Sequence, residues 1–142
     1  MITIAVDFDG TIVTHEYPRI GKEIPFATDT LIRIQKDFEA CLILWTVREG
    51  KELDEAIQFC LSKGLEFFAV NKNYPEEKVD DKQPRKLKAD IFIDDRNLGG
   101  LPDWGVIYQM IASGNPLMPA SAELVSDYPK KKPSFFQRAF GK

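Results

Sequence analysis

Ile2-Thr3-Ile4-Ala5-Val6-Asp7-Phe8-Asp9-Gly10-Thr11 is the stretch whose reading decides the fold of this chain. Ile2 to Val6 has the apolar, β-branched composition of a buried strand, and two carboxylates arrive where that strand should end. With a side-chain period of two, Asp7 and Asp9 point the same way if the extended conformation persists, and Phe8 points opposite. Gly10 permits a sharp turn, across which Thr11 can hydrogen-bond. Like charges this close call for a cation or a shared proton, and a hard, oxygen-preferring divalent ion such as Mg²⁺ suits carboxylate ligands. Taken alone, an Asp-x-Asp is read equally well as two solvated acids at a strand end.

Working outward, Ile12 to Ala27 contains Tyr17-Pro18, Gly21 and Ile24-Pro25, which forbid a long helix and predict a hairpin-like flap. His15 lies in it, either as an acid or substrate contact or as a solvated loop residue. Thr28 or Asp29 then caps a helix with Leu31, Ile34 and Phe38 at helical spacing. Cys41 to Trp45 reads as a second buried strand ending at Thr46. Leu53, Ala56, Ile57, Cys60 and Leu61 form the clearest helical stripe, with Gly64 as its stop. A third strand is expected over Glu66 to Val70, and a polar stretch of mixed charge runs from Asn71 to Lys88. Ala89 to Ile93 is a fourth strand, ending in the acidic pair Asp94-Asp95. Pro102-Asp103 then opens a helix with Trp104, Ile107, Tyr108 and Ile111 on one face.

Strands alternating with amphipathic helices predict an α/β domain, a Rossmann-like parallel sheet with helices on both faces. Functional groups of such sheets gather at the carboxyl ends of the strands. Asp7 and Asp9, Thr46, and Asp94 with Asp95 all fall there, so three strand ends converge on one candidate site. The core is expected to occupy residues 1–114. Residues 115–142 form an extension in which Lys130, Lys131, Lys132, Arg138 and Lys142 interleave with Phe135, Phe136 and Phe140. That arm either packs back on its own domain or contacts a nucleic acid, a membrane surface or a neighbouring subunit, the last giving a homo-oligomer.

The 142 residues suffice for a single core, and the net charge of −3 argues against binding nucleic acid or membrane through bulk charge. Cys41 and Cys60 are too few for a disulfide framework and read as small hydrophobes in a reducing compartment. With a strand entered at once and no apolar run of spanning length, the expectation is a soluble, cytoplasmic protein without a leader or membrane partner.

In order and spacing, Asp7-Phe8-Asp9-Gly10-Thr11, Thr46, Lys86 and Ile93-Asp94-Asp95 resemble the haloacid dehalogenase (HAD) superfamily of phosphotransferases. Leu44-Trp45-Thr46-Val47-Arg48-Glu49 and Ile93-Asp94-Asp95-Arg96-Asn97-Leu98-Gly99-Gly100 further resemble its small, capless bacterial and phage hydrolases. The resemblance implies a Mg²⁺-dependent phosphatase with Asp7 as nucleophile, Asp9 as acid and base, and an aspartyl-phosphate intermediate. It implies a metal held by Asp7, the backbone carbonyl of Asp9, Asp94 and Asp95. Thr46 and a lysine, Lys86 or the nearby Lys88, would hold the phosphoryl group. Thr11, Arg48 and Arg96 are candidate substrate contacts, Arg48 being equally a surface arginine at a helix start. The acid at Asp9 favours phosphate esters over haloacids. Without room for a cap domain, the site suits a phosphorylated small molecule, a nucleotide or a macromolecule. The alternative from another class is a catalytically silent module that binds metal and phosphate or a protein partner.

Overall fold

The computed structural model describes residues 1–114; the arm and any oligomer formed through it lie outside the described residues. The strands are β1 (Thr3–Val6), β2 (Cys41–Leu44), β3 (Ala69–Val70) and β4 (Ile91–Ile93), and the helices are α1 (Ala27–Phe38), α2 (Gly50–Ser62) and α3 (Trp104–Ala112). The sheet is wholly parallel in the order β3-β2-β1-β4, with Val6 aligned to both Leu44 and Ile93. Backbone bonds carry the ladder one residue further: the Asp7 amide donates to Ile93 O, that of Trp45 to Val6 O and that of Asn71 to Leu44 O, at 2.8–2.9 Å. The strand ends are therefore level, and the residues just past them share one rim.

Alternation along the strands divides the core. Ile4, Val6, Leu42, Leu44 and Ile93 face a large cluster with Leu31 and Ile34 of α1, Ala56 and Cys60 of α2, and Trp104, Ile107 and Ile111 of α3. Ala5, Ile43 and Phe92 face a smaller one with Ala69, Leu87, Trp45 and Ala89. The parallel α/β sheet is as expected, but all three helices contribute to the first cluster. Among the described residues the second face is covered by Leu87 and Ala89 of the β3–β4 connection. The reason is topological: β1-α1-β2 and β2-α2-β3 step in one direction and share a face, whereas β3 to β4 steps back across the other face.

Several local expectations are corrected. β3 and β4 are shorter than their apolar runs. Helix α1 starts at Ala27 behind a left-handed Phe26 (φ 68°) with no side-chain cap, because the Thr28 hydroxyl donates to Glu23 instead (3.0 Å). Leu61 is exposed, and Phe59 packs inward in its place, edge-on to Phe8 with ring centres 6.0 Å apart. Burial pushes the Cys60 thiol up to about 12, so it stays a neutral core group. No helix among the described residues is long and apolar enough to cross a membrane.

The flap is a short hairpin-like excursion. Val13 bridges Glu23, the Thr14 amide donates to Lys22 O at 2.7 Å, and the Ile24 amide to Ile12 O at 2.8 Å. Gly21 is required there, since a Cβ would overlap the Thr14 carbonyl. Only five residues, 45–49, separate β2 from α2, and the flap occupies the connection from β1 to α1.

Candidate active site

Asp7, Asp94 and Asp95, just past β1 and β4, each offer a carboxylate oxygen within 4.8 Å of the others, and all three are half-buried. Thr11 ties them together. Its hydroxyl donates to Asp7 (3.1 Å), lies 3.5 Å from an Asp95 oxygen, and accepts the Asp95 amide (3.1 Å). Its carbonyl accepts the Trp104 indole N–H at 3.1 Å, anchoring the turn to α3. Gly10, at φ +83°, is needed for two reasons: the left-handed backbone and the Asp95 carboxylate, which a Cβ would overlap. Thr11 is wholly buried, so its candidacy as a substrate contact is corrected: it positions the acids.

Three acids in one place perturb each other. Burial, a hydrogen bond with Asp95 and the charge of Asp94 push the Asp7 carboxyl up to about 7, against the amide of Phe8 and the hydroxyl of Thr11. The folded state then binds a proton that the unfolded chain releases near 3.8. The contribution of Asp7 to the stability of the metal-free protein is therefore expected to fall as pH rises from about 4 to about 7. A divalent cation should offset the loss, raising Tm by several degrees at pH 8 and much less at pH 5. Thermal melts in EDTA and in Mg²⁺ across that range check this; a cation effect independent of pH would contradict it.

The expected alliance of Asp7 with Asp9 does not form. The extended chain ends at Phe8, whose carbonyl accepts the amides of Thr11, Ile12 and Val13 at 2.9–3.3 Å, so the backbone winds up at once. The Asp9 carboxylate is buried and held by one edge of Arg48, Nε at 2.7 Å and Nη2 at 2.8 Å. Its side chain is thus not one of the clustered metal-ligand candidates. The role of Arg48 is corrected too. Nη1 donates to Pro18 O (3.0 Å) and Glu52 O (3.3 Å), and Nη2 also to Arg19 O (2.8 Å). All five guanidinium N–H groups are occupied, leaving none for a substrate anion. The paired Asp9 raises the Arg48 pKa further.

Thr46 stands half-buried at the end of β2; its hydroxyl accepts the Arg48 amide (3.2 Å), and its own amide donates to the Asn71 side chain (2.8 Å). Asn71 was not foreseen. Its signal is a polar residue directly after a strand, of a type that tolerates the left-handed backbone it adopts (φ 53°). Lys86 is exposed, with its ammonium 5.7 Å from the centre of the Phe92 ring. Lys88 donates its amide to Asn73 (2.7 Å) and lends its charge to Glu77. Among the described residues neither lysine is ion-paired to the three acids. Arg96 is exposed beside them, its amide donating to Asp94 at 2.9 Å, and His15 is exposed on the flap.

A solved structure of a conserved protein from Bacteroides thetaiotaomicron is 64% identical to this chain, with a TM-score of 0.74, over 80% of this chain and 91% of that one. The chain belongs to the family of that conserved protein. No protein-family model matches the sequence, and a comparison with curated proteins finds no match. Family membership supports the α/β fold.

Proposed function

We propose that this protein is a Mg²⁺-dependent phosphatase, a phosphoric monoester hydrolase of HAD type acting through an aspartyl-phosphate on Asp7. The observation that carries the reading is the convergence of Asp7, Asp94 and Asp95 at the carboxyl end of a parallel sheet. The donor set is anionic and all oxygen, which fits a hard divalent cation. Mg²⁺ held by these three acids, with the Asp9 carbonyl as a further ligand, would neutralise the repulsion between a carboxylate nucleophile and a phosphate.

In the first displacement an Asp7 oxygen forms a bond to phosphorus while the bond from phosphorus to the ester oxygen breaks. The leaving oxygen takes a proton from Asp9. In the second, water bonds to phosphorus and gives its proton to Asp9, and the bond to Asp7 breaks, returning the carboxylate and inorganic phosphate. Thr46, with the amide that follows it, is assigned to a phosphate oxygen, and Lys86, or Lys88 in its place, to the charge on the transferring group. Arg96 is assigned to the substrate at the mouth. The uncapped rim suits a nucleotide, a phosphorylated macromolecule or a bulky phosphometabolite, and the two free cysteines suit the cytoplasm.

The withdrawn Asp9 carboxylate favours a second reading, a silent module that binds metal and phosphate or a protein. One experiment separates the two: phosphate release from nucleotides, sugar phosphates, phosphopeptides and phosphorylated oligonucleotides, with Mg²⁺ and with EDTA. Turnover only with metal is expected. Mg²⁺ binding without turnover on any of them selects the silent module.

A further inference from the structure

We propose that Arg48 makes the flap and Asp9 one mechanical unit, so that the position of the flap sets whether Asp9 reaches the substrate. The catalytic half of this inference rests on the phosphatase reading; the mechanical half does not.

The starting point is a mismatch. Residues 14–19 of the flap are exposed, yet the carbonyls of Pro18 and Arg19 bind a guanidinium that is itself fully buried. A loop with solvent available has no need of that partner. Arg48 does need the loop, since without those carbonyls two of its donors would be buried and unmatched. The guanidinium carbon lies 5.1 Å from the centre of the Tyr17 ring on the flap and 5.2 Å from that of Phe8, the residue before Asp9. Arg48 is thus packed between flap and catalytic loop, with its fourth hydrogen-bond partner, Glu52 O, on the first turn of α2.

Because the fork geometry of the guanidinium is rigid, its bonds to Asp9 and to the flap are not independent. Rotating Asp9 toward the three-acid rim breaks both of its bonds to Arg48 and leaves a buried cation without its ion-pair partner. Displacing the flap removes one acceptor from each of Nη1 and Nη2 and admits water to the guanidinium. The cheaper path for Asp9 is the one in which the flap moves with it. Arg48 is therefore a positioning residue, acting on the substrate only through Asp9.

Hydrogen exchange tests the mechanical half without any substrate. Asp9→Asn leaves every flap atom in place but weakens the pairing; Arg48→Lys removes the fork. Both should speed exchange of the Thr14, Arg19 and Ile24 amides by at least about tenfold, with the α1 amides unchanged. Unchanged flap exchange in both variants overturns the coupling. Should either fold poorly, Tyr17→Ala removes only the ring over the guanidinium, and the same acceleration is expected.

The catalytic half is read from the leaving group. An alkyl phosphate needs a proton at its departing oxygen, whereas nitrophenolate departs without one. Arg48→Lys should change kcat/KM, which reads the first displacement and not the water step that also uses Asp9, by more than about tenfold on an alkyl phosphate and by no more than about twofold on p-nitrophenyl phosphate. Equal changes on both esters overturn the link to Asp9. If wild type turns over neither ester, the phosphatase reading fails, while the exchange experiment still decides the coupling.

Discussion

Asp7→Asn is expected to abolish the proposed phosphate release, by about 10³-fold or more, and at the same time to stabilise the metal-free protein above pH 7. The two effects share a cause. The amide is nearly isosteric with the carboxyl but cannot form the acyl-phosphate bond, so the first displacement is lost outright. It also removes one of three crowded charges, the one held up to about 7 by burial and by Asp95 and Asp94. In wild type, ionising Asp7 at pH 8 works against folding; in the variant position 7 carries no charge to oppose it. Thermal melts in EDTA at pH 8 should place Asp7→Asn above wild type, and the slope of stability between pH 4 and 7 should flatten. Loss of activity with a raised Tm distinguishes a missing nucleophile from a damaged fold. Turnover comparable to wild type would sink the assignment of Asp7.

The fold was legible because its signals are local and redundant. Ile2 to Val6 and Cys41 to Leu44 are apolar runs that no other element suits, and the stripe of α2 has both a helical period and a glycine stop, Gly64 at φ +82°. The cover of the second face was not legible. Leu87 and Ala89 sit in a segment dominated by charge, and their burial follows from where the β3–β4 connection must cross. Helix α1 shows the same limit at shorter range: Thr28 has the composition of a cap, but its hydroxyl is taken by Glu23, five residues back.

Within the candidate site, legibility tracked the backbone. Asp7, Thr46, Asp94 and Asp95 follow strand ends, and strand ends can be counted. Asp9 could not be placed this way, because the expectation that it shares a face with Asp7 assumes an extended chain where Phe8 O starts a helical turn. Arg48 was harder still. Nothing near Val47-Arg48-Glu49 in the sequence announces a buried cation; its partners lie 39 residues away at Asp9 and 29–30 away in the flap. Long-range polar pairing of this kind has no period to read.

That pairing yields the largest expected change in stability. Arg48→Met keeps much of the side-chain volume and removes the charge, leaving the Asp9 carboxylate buried without a partner. Breaking one side of a buried pair costs about 3–5 kcal/mol, on the order of 10 °C in Tm for a chain of this size. Asp9→Asn strands the guanidinium instead and should cost a comparable amount, lessened by the carbonyls of Pro18, Arg19 and Glu52 that still receive its N–H groups. The double variant discriminates. If the cost of each single change is the stranded charge, removing both strands nothing, and the pair should be less destabilised than the sum by about 2–3 kcal/mol. Chemical denaturation of the four proteins measures this directly. Full recovery is not expected, because the double variant still lacks the bonds that Arg48 makes to the carbonyls of Pro18, Arg19 and Glu52. Strict additivity would mean that Arg48 stabilises the protein through its carbonyl contacts alone, with Asp9 a bystander in the same cavity.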